Sequence, residues 1–439
     1  MPTRRRAATL TALVTASLTS AIVAVPSVSA APAPSAPAPS APAPSAPVAS
    51  SSSLTLPQLR SEITGSSTGV VPVQHPGAPV PRPFTPDYLA GYISDISPYR
   101  YGIYAEVNRL FPQVRDTQPE TMAANLDTVV RINNTASPEQ IMKAQVDAVA
   151  ASGGLLAALS PALGEEFGEA FRVSLREGRL PKTAYLLDNG YFARAGGLAS
   201  STLIEKRVFN YPRPHVAAPE RINRYNTPET GELYLTSPAF PSGHTNQATW
   251  VTTLLAYMLP ELAPQLHYRG AESGHSRVVL GVHYPLDVIG GRMSGYAAAA
   301  DRLNDPRMRN ALDQAAAELR AEIQWRTGKT ISELVAGDTP YATTQEATRA
   351  MDYFMDYGLP RVYVTDAQMQ VPQAAPVLLA ARFPQLNWQQ REEVLRRTAA
   401  PAANPLDWQG PGGSWQRINM VAATAADVSV NPDGSLTIR

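Results

Sequence analysis

The sequence has no cysteine among its 439 residues, which excludes structural disulfides and the thiol that an N-terminal lipid anchor of the bacterial lipoprotein kind requires. It has no excess of either charge, with 37 Lys and Arg against 37 Asp and Glu. The overall balance therefore gives no reason to expect nucleic acid or an anionic membrane as a partner. Beyond the N-terminus no segment reaches the roughly 18 apolar residues that a spanning helix needs, so no stable membrane insertion is expected. A chain without covalent staples needs a large core, and the about 350 residues that follow the tail are enough to build one.

What the tail does contain is a processing pattern. Arg4, Arg5 and Arg6 precede a mostly apolar stretch from Ala7 to Val25, and Val28-Ser29-Ala30 supplies small residues for cleavage. Residues 1–30 are thus expected to be a signal peptide, and the protein to be secreted to the extracellular side. Residues 31–86 form a Pro/Ala/Ser-rich linker opened by three copies of Ala-Pro-Ala-Pro-Ser, a composition that favours extended, solvated chain. From Asp87 aromatic and branched apolar residues become frequent. A helical domain is expected over 87–330, with a C-terminal helical extension and terminal hairpin over 331–439.

Helical signals dominate. Ser137-Pro138-Glu139-Gln140 combines an N-cap, a first-turn proline and a capping-box glutamine. Phe167, Phe171 and Leu175 form one stripe of a second helix that Gly178 ends. Further helices are predicted over Thr245–Leu259, Met293–Leu303 and Ala311–Trp325, the last two separated by Asp305-Pro306. Strand alternation is confined to Val428–Val430 and Leu436–Ile438, around Asn431-Pro432-Asp433-Gly434. The fold class is all-α, a helical bundle with a small C-terminal β-hairpin appendage.

Three short segments carry candidate chemistry. In the first, Lys206 is followed by Arg213-Pro214, and Pro212 and Pro214 keep Arg213 on extended chain after the helix that carries Lys206. Such a lysine and arginine can clamp phosphate oxygens, as a point charge and a planar fork; basic residues beside prolines also read as a solvated loop. In the second, Pro241-Ser242-Gly243-His244-Thr245 precedes an apolar helix whose N-terminal N–H groups favour an anion. Gly243 permits close approach of the backbone and His244 can donate a proton to a leaving oxygen, while Ser242 also reads as an ordinary N-cap. In the third, Ser276-Arg277 leads to His283 and Asp287, with Pro285 in a first helical turn. A carboxylate one turn on can hold one nitrogen of His283 and leave the other to attack; the pair also reads as a capping histidine beside a solvated carboxylate.

Together these segments resemble the type 2 phosphatidic acid phosphatase superfamily, whose pattern is K-x6-RP, then PSGH, then SR-x5-H-x3-D. Lys206, Arg213, Pro214, Pro241, Ser242, Gly243, His244, Ser276, Arg277, His283 and Asp287 match in order. Arg269-Gly270, Glu272, Ser276-Arg277-Val278, Gly281, His283, Asp287-Val288 and Gly291-Arg292 look most like the bacterial class A non-specific acid phosphatases. The resemblance covers about residues 140 to 300. It implies a secreted phosphatase of small phosphomonoesters that needs no metal or other cofactor. His283 would form a phosphohistidine, oriented by Asp287, while His244 protonates the leaving oxygen. Lys206, Arg213 and Arg277, with Ser242 and Gly243, would hold the phosphoryl oxygens. One histidine must then be neutral and the other charged, which implies a bell-shaped pH profile. The same motifs also resemble vanadium-dependent haloperoxidases, and a lipid phosphate phosphatase working at a membrane surface is a further alternative.

Other features carry less. His215 stands where an aromatic residue is expected after Arg213-Pro214, and reads as a loop residue. His75, His267 and His275 lack metal-ligand spacing. Gly328-Lys329-Thr330 resembles a P-loop, but the required first glycine falls at Ile323. Trp250 reads as core, and Trp408 and Trp415 flank a Gly-Pro-Gly-Gly turn suited to docking the C-terminal hairpin.

Overall fold

The computed structural model describes residues 70–85, 87–89, 104–150, 154–188, 193–196, 201–227, 234, 237–337 and 341–439, all within the compact unit Ala46–Arg439. The expected signal peptide and Ala-Pro repeats lie outside the described residues. The helices that position the site are α1 (Pro119–Asn134), α2 (Pro138–Ala150), α3 (Glu165–Arg176), α4 (Leu203–Phe209), α5 (Gly243–Met258), α6 (Ala263–Val279), α7 (Pro285–Asn304) and α8 (Pro306–Thr327). They are followed by α9 (Thr344–Asp356), α10 (Trp388–Arg397) and α11 (Met420–Ala425). Strands β1 (Val428–Val430) and β2 (Leu436–Ile438) pair antiparallel, Val428 opposite Ile438. The architecture is all-α with one hairpin, as the periodicity predicts.

Local chemistry sets the helix ends. Ser137 and Gln140 exchange reciprocal bonds at the start of α2, 2.9 Å from Ser137 N to Gln140 Oε1 and 3.3 Å from Gln140 N to Ser137 Oγ. Two predicted starts are corrected by the structure. Helix α7 runs unbroken from Pro285 to Asn304, so the first helical turn read at Pro285 and the segment read as a helix from Met293 are one element, with Gly291 and Gly295 packed on α5. Helix α8 begins at Pro306 rather than Ala311, because Asp305 caps it through the N–H groups of Arg307 and Met308 (2.8 and 3.1 Å).

The centre is α5, buried on nearly every side and packed chiefly between α6 and α7. Two of its buried threonines place their hydroxyls on carbonyls one turn back, Thr252 on Ala248 (2.8 Å) and Thr253 on Thr249 (2.7 Å). Glycine permits the contact with α7. A Cβ at Gly291 would fall on the Ser242 carbonyl oxygen and within 3.0 Å of Thr245 Cβ, and one at Gly295 would stand 2.5 Å from Thr249 Cβ. Helices α2, α9 and α11 then pack against α6.

The flanking segments close over this core. Residues 70–85, which fall in the compositional linker, lie against the body: Arg179 forms a bidentate buried pair with Glu322 (2.8 Å to each oxygen) and donates to the carbonyls of Val73 and Pro79. The hairpin sits on α10, where Arg397 and Gln390 donate to the carbonyls of Leu436 and Gly434 (3.1 Å each). The Trp408 turn does not dock the hairpin. Its indole N–H closes on the Pro411 carbonyl (2.7 Å), and its ring lies 4.1 Å beneath the Arg109 guanidinium.

Because Ser242 backbone blocks the Cβ position at Gly291, Gly291→Ala should lower unfolding stability by about 1–3 kcal/mol, the usual cost of overpacking. Urea denaturation checks this, and an unchanged midpoint would show that the α5–α7 contact has slack.

Candidate active site

The first and third segments meet through Arg213. Helix α4 ends at Asn210, whose left-handed backbone (φ 42°) turns the chain, and Arg213 follows on extended backbone. Its guanidinium is threaded among carbonyls, with Nε to Ser237 O (2.8 Å), NH1 to Val282 O (2.8 Å) and NH2 to Pro238 O (3.2 Å) and Ser237 Oγ (2.9 Å). NH1 also donates to His283 Nε2 at 3.1 Å. Lys206, on α4, donates to the carbonyls of Pro238 and Ala239 (2.8 Å each). Both cations thus brace residues 237–239, the approach to the second segment, as well as facing the site.

His283 lies in the turn between α6 and α7. Asn133 of α1 braces this turn by donating to the Val279 carbonyl (2.8 Å), and Asn125 accepts from Leu286 N (3.0 Å). Asp287 Oδ2 accepts from Tyr284 N (2.9 Å) and from His283 Nδ1 (3.0 Å). With Asp287 taking the Nδ1 proton and Arg213 donating at Nε2, the neutral ring carries its lone pair on Nε2, the nitrogen that faces the cations. Burial, then the charges of Arg213, Lys206 and Arg277, push His283 well below its ordinary range. Burial pushes the Asp287 carboxyl up, opposed by the Tyr284 N–H and the charges of Lys206 and Arg213. Burial and Arg213 pull Lys206 down, opposed by Asp287.

The second segment is tied to the third by Ser242 N donating to the Asp287 carbonyl oxygen (2.9 Å). Ser242 Oγ caps α5, accepting from Thr245 N (3.3 Å) and Thr245 Oγ1 (2.8 Å). Gly243 and His244 open that helix, where backbone N–H groups have no intrahelical acceptor. His244 Nε2 is 3.0 Å from the Tyr234 hydroxyl, and burial followed by the charge of Arg277 pushes the imidazole well below its ordinary range, against the pull of the Ala148 carbonyl.

Arg277 is wholly buried, and its three guanidinium nitrogens have no hydrogen-bond partner among the described residues. An unpaired buried charge is costly, and an oxyanion at this position would offset that cost. Among the described residues no group of three or more His, Asp or Glu side chains is placed to hold a metal ion. What the arrangement offers is an anion site walled by three cations beside an imidazole lone pair.

Residues outside the motifs also build the site. Asp147, near the end of α2, accepts from Arg269 NH2 (2.5 Å) and NH1 (3.3 Å) and from Ser276 Oγ (2.7 Å). Its neighbour Ala148 presents the carbonyl that faces His244. Glu272 accepts from Tyr341 OH (2.8 Å) and pairs with Lys143 (2.5 Å), extending the network to the C-terminal part of the chain. Asp147 and Tyr234 have no motif around them. The one signal available for Asp147 was a carboxylate one turn after Lys143, in the last turn of a helix. His215 is not a loop residue: it is buried in the short helix Pro214–Ala217, facing the carbonyls of Gly281 and Tyr234, and burial pushes it down to about 4.

Residues 187–309 match the PAP2 superfamily. A non-specific acid phosphatase of Providencia stuartii is 32% identical over 185 residues, 42% of this chain and 67% of that protein. Non-specific acid phosphatases of Salmonella typhi and Salmonella typhimurium are each 31% identical over 144 residues, 32% of this chain. The chain spans about half the length of these last two relatives, 53% in each case.

Two outcomes follow from the site's packing. Asp147→Ala leaves Arg269 buried without its carboxylate and should destabilise the fold by about 3–5 kcal/mol, read by urea denaturation. Burial pushes His215, His267 and His275 down to about 4, 3 and 4. The unfolded chain takes up these protons near pH 6.5 while the folded one does not, so stability is present above that pH. It should be lost as pH falls from 6.5 towards 4, by up to about 1.4 kcal/mol per pH unit per histidine. Thermal melts across that range would show a flat profile if the histidines were accommodated as cations.

Proposed function

The chain belongs to the PAP2 superfamily, and from that premise we propose that it is a secreted phosphatase that hydrolyses phosphomonoesters through a phosphohistidine, without a metal. The observation that carries this reading is the His283 ring, whose Nδ1 proton is held on Asp287 while Nε2 keeps its lone pair among three cations. The relatives named non-specific acid phosphatase support the reaction class, and the N-terminal processing pattern supports secretion.

The geometry divides the labour. Arg277, with no protein hydrogen-bond partner among the described residues, is the principal ligand of the phosphoryl oxygens. Arg213 and Lys206, already braced on carbonyls, supply fixed positive charge; Lys206, with two donations to carbonyls, turns its third N–H towards the anion, and Arg213 reaches it by passing the NH1 bond from His283 Nε2 to a phosphoryl oxygen. Phosphoryl transfer asks mainly for this positioning and charge stabilisation. As the phosphoryl group enters, the Arg213 NH1 bond to His283 Nε2 gives way and frees the lone pair; Nε2 forms a bond to phosphorus as the P–O bond to the leaving group breaks, and His244 delivers the proton to the departing oxygen. Water then attacks phosphorus, His244 takes its proton, the N–P bond breaks and inorganic phosphate is released.

Electrostatics couples the steps. In the free site burial, and after it the charge of the cations, holds both imidazoles neutral, which suits the nucleophile but not the acid. A phosphate dianion offsets that positive field and raises His244 towards protonation as it binds. Activity is lost at low pH as His283 takes a proton, and at high pH as bound-state His244 loses one, giving a bell.

Hydrolysis of 4-nitrophenyl phosphate across pH 4–9 with chelator present tests this. His283→Ala should lower turnover by about three orders of magnitude or more. His244→Ala should cost about 10²- to 10⁴-fold on an alkyl phosphate and much less on the nitrophenyl ester, whose leaving oxygen needs no proton. Turnover persisting in His283→Ala would remove the phosphohistidine. Absence of turnover together with vanadate-dependent halide oxidation would replace the phosphatase reading.

A further inference from the structure

Tyr234 stands at the site outside the three motifs. Its hydroxyl lies 3.0 Å from His244 Nε2, the nitrogen from which the leaving oxygen is to be protonated, with the two rings nearly perpendicular (82°). Its ring lies 4.3 Å from the Arg213 guanidinium carbon and 5.7 Å from that of Arg277. Its backbone is left-handed (φ 57°), uncommon for an aromatic residue, and its carbonyl is faced by buried His215.

An imidazole nitrogen has a single in-plane hydrogen-bond direction, a lone pair or one N–H. The Tyr234 oxygen and a leaving oxygen therefore compete for the same place at His244. The outline of the tyrosine, an oxygen at the acid joined to a flat ring against two guanidinium groups, is also the outline of an aryl leaving group.

We infer that Tyr234 occupies the leaving-group position of the free site, and that the position is an aryl subsite, which substrate enters by displacing the tyrosine side chain. This rests on the phosphatase reading of the same site and names its favoured substrate class, flat aromatic phosphomonoesters. An aryl group regains the stacking on Arg213 and Arg277 that the tyrosine ring gives up; an aliphatic leaving group displaces the ring and regains nothing.

The test is direct binding by calorimetry of benzylphosphonate and propylphosphonate to the full chain and to Tyr234→Phe and Tyr234→Ala. Neither compound can be hydrolysed, and the benzyl ring stands one atom from phosphorus, as in a phenyl ester. The unsubstituted protein should bind benzylphosphonate at least about five-fold more tightly. Tyr234→Phe, which loses only the hydroxyl at His244, should bind both compounds a few-fold more tightly, and Tyr234→Ala tighter still. Equal affinity for the two compounds would overturn the aryl subsite. Unchanged or weaker binding in both variants would overturn the displacement, leaving Tyr234 as a fixed wall. Failure of either phosphonate or of inorganic phosphate to bind at all would instead remove the phosphatase reading, and this inference with it.

Discussion

The site depends on one short contact, the Ser242 N–H donated to the Asp287 carbonyl where the first turns of α5 and α7 touch. Two helix N-termini rarely lie side by side, since both are positive ends of helix dipoles. Here the glycines at 291 and 295 let the helices approach to backbone contact. The result is a corner in which backbone N–H groups, the His283 imidazole and three cations are brought close together. A corner of that kind is unfavourable until an anion enters it.

That field explains why the three cations are not equivalent. Lys206 and Arg213 are bonded to the carbonyls of residues 237–239 and of Val282, so they hold the corner's walls together and contribute charge from fixed positions. Arg277 emerges from the buried face of α6 without such bonds among the described residues. Removing either of the first two would collapse geometry as well as charge. Removing Arg277 would leave the walls standing and, in the proposed reaction, the anion without its fork.

A second layer supports the first. Asp147 joins Arg269 and Ser276, so the base of Arg277 is anchored to α2, and the Ala148 carbonyl next along that helix faces His244. One buried carboxylate thus sets the relative placement of Arg277 and His244, which lie 33 residues apart in sequence. Through Glu272 and Tyr341 the same network reaches the C-terminal part of the chain, which gives that segment a part in holding the site.

The sequence alone determined the helical class, the terminal hairpin and the spacing of the three motifs, because those follow from local periodicity, capping and turn chemistry. Ser137 and Gln140 capped α2 as their spacing requires, and Asp287 lay one turn beyond His283. Tertiary structure decided what local rules do not encode. It placed Tyr234 at His244 and Asp147 beneath Arg277, over separations that no helical or strand period spans. It buried His215 against the turn carrying His283, and it made the glycines of α7 points of contact. It also divided the cations into braced and unbraced. The physical reason is the same in each instance: these roles depend on which carbonyls, rings and carboxylates are brought near by long-range packing, and a residue's type fixes only what it can bond, not what it meets.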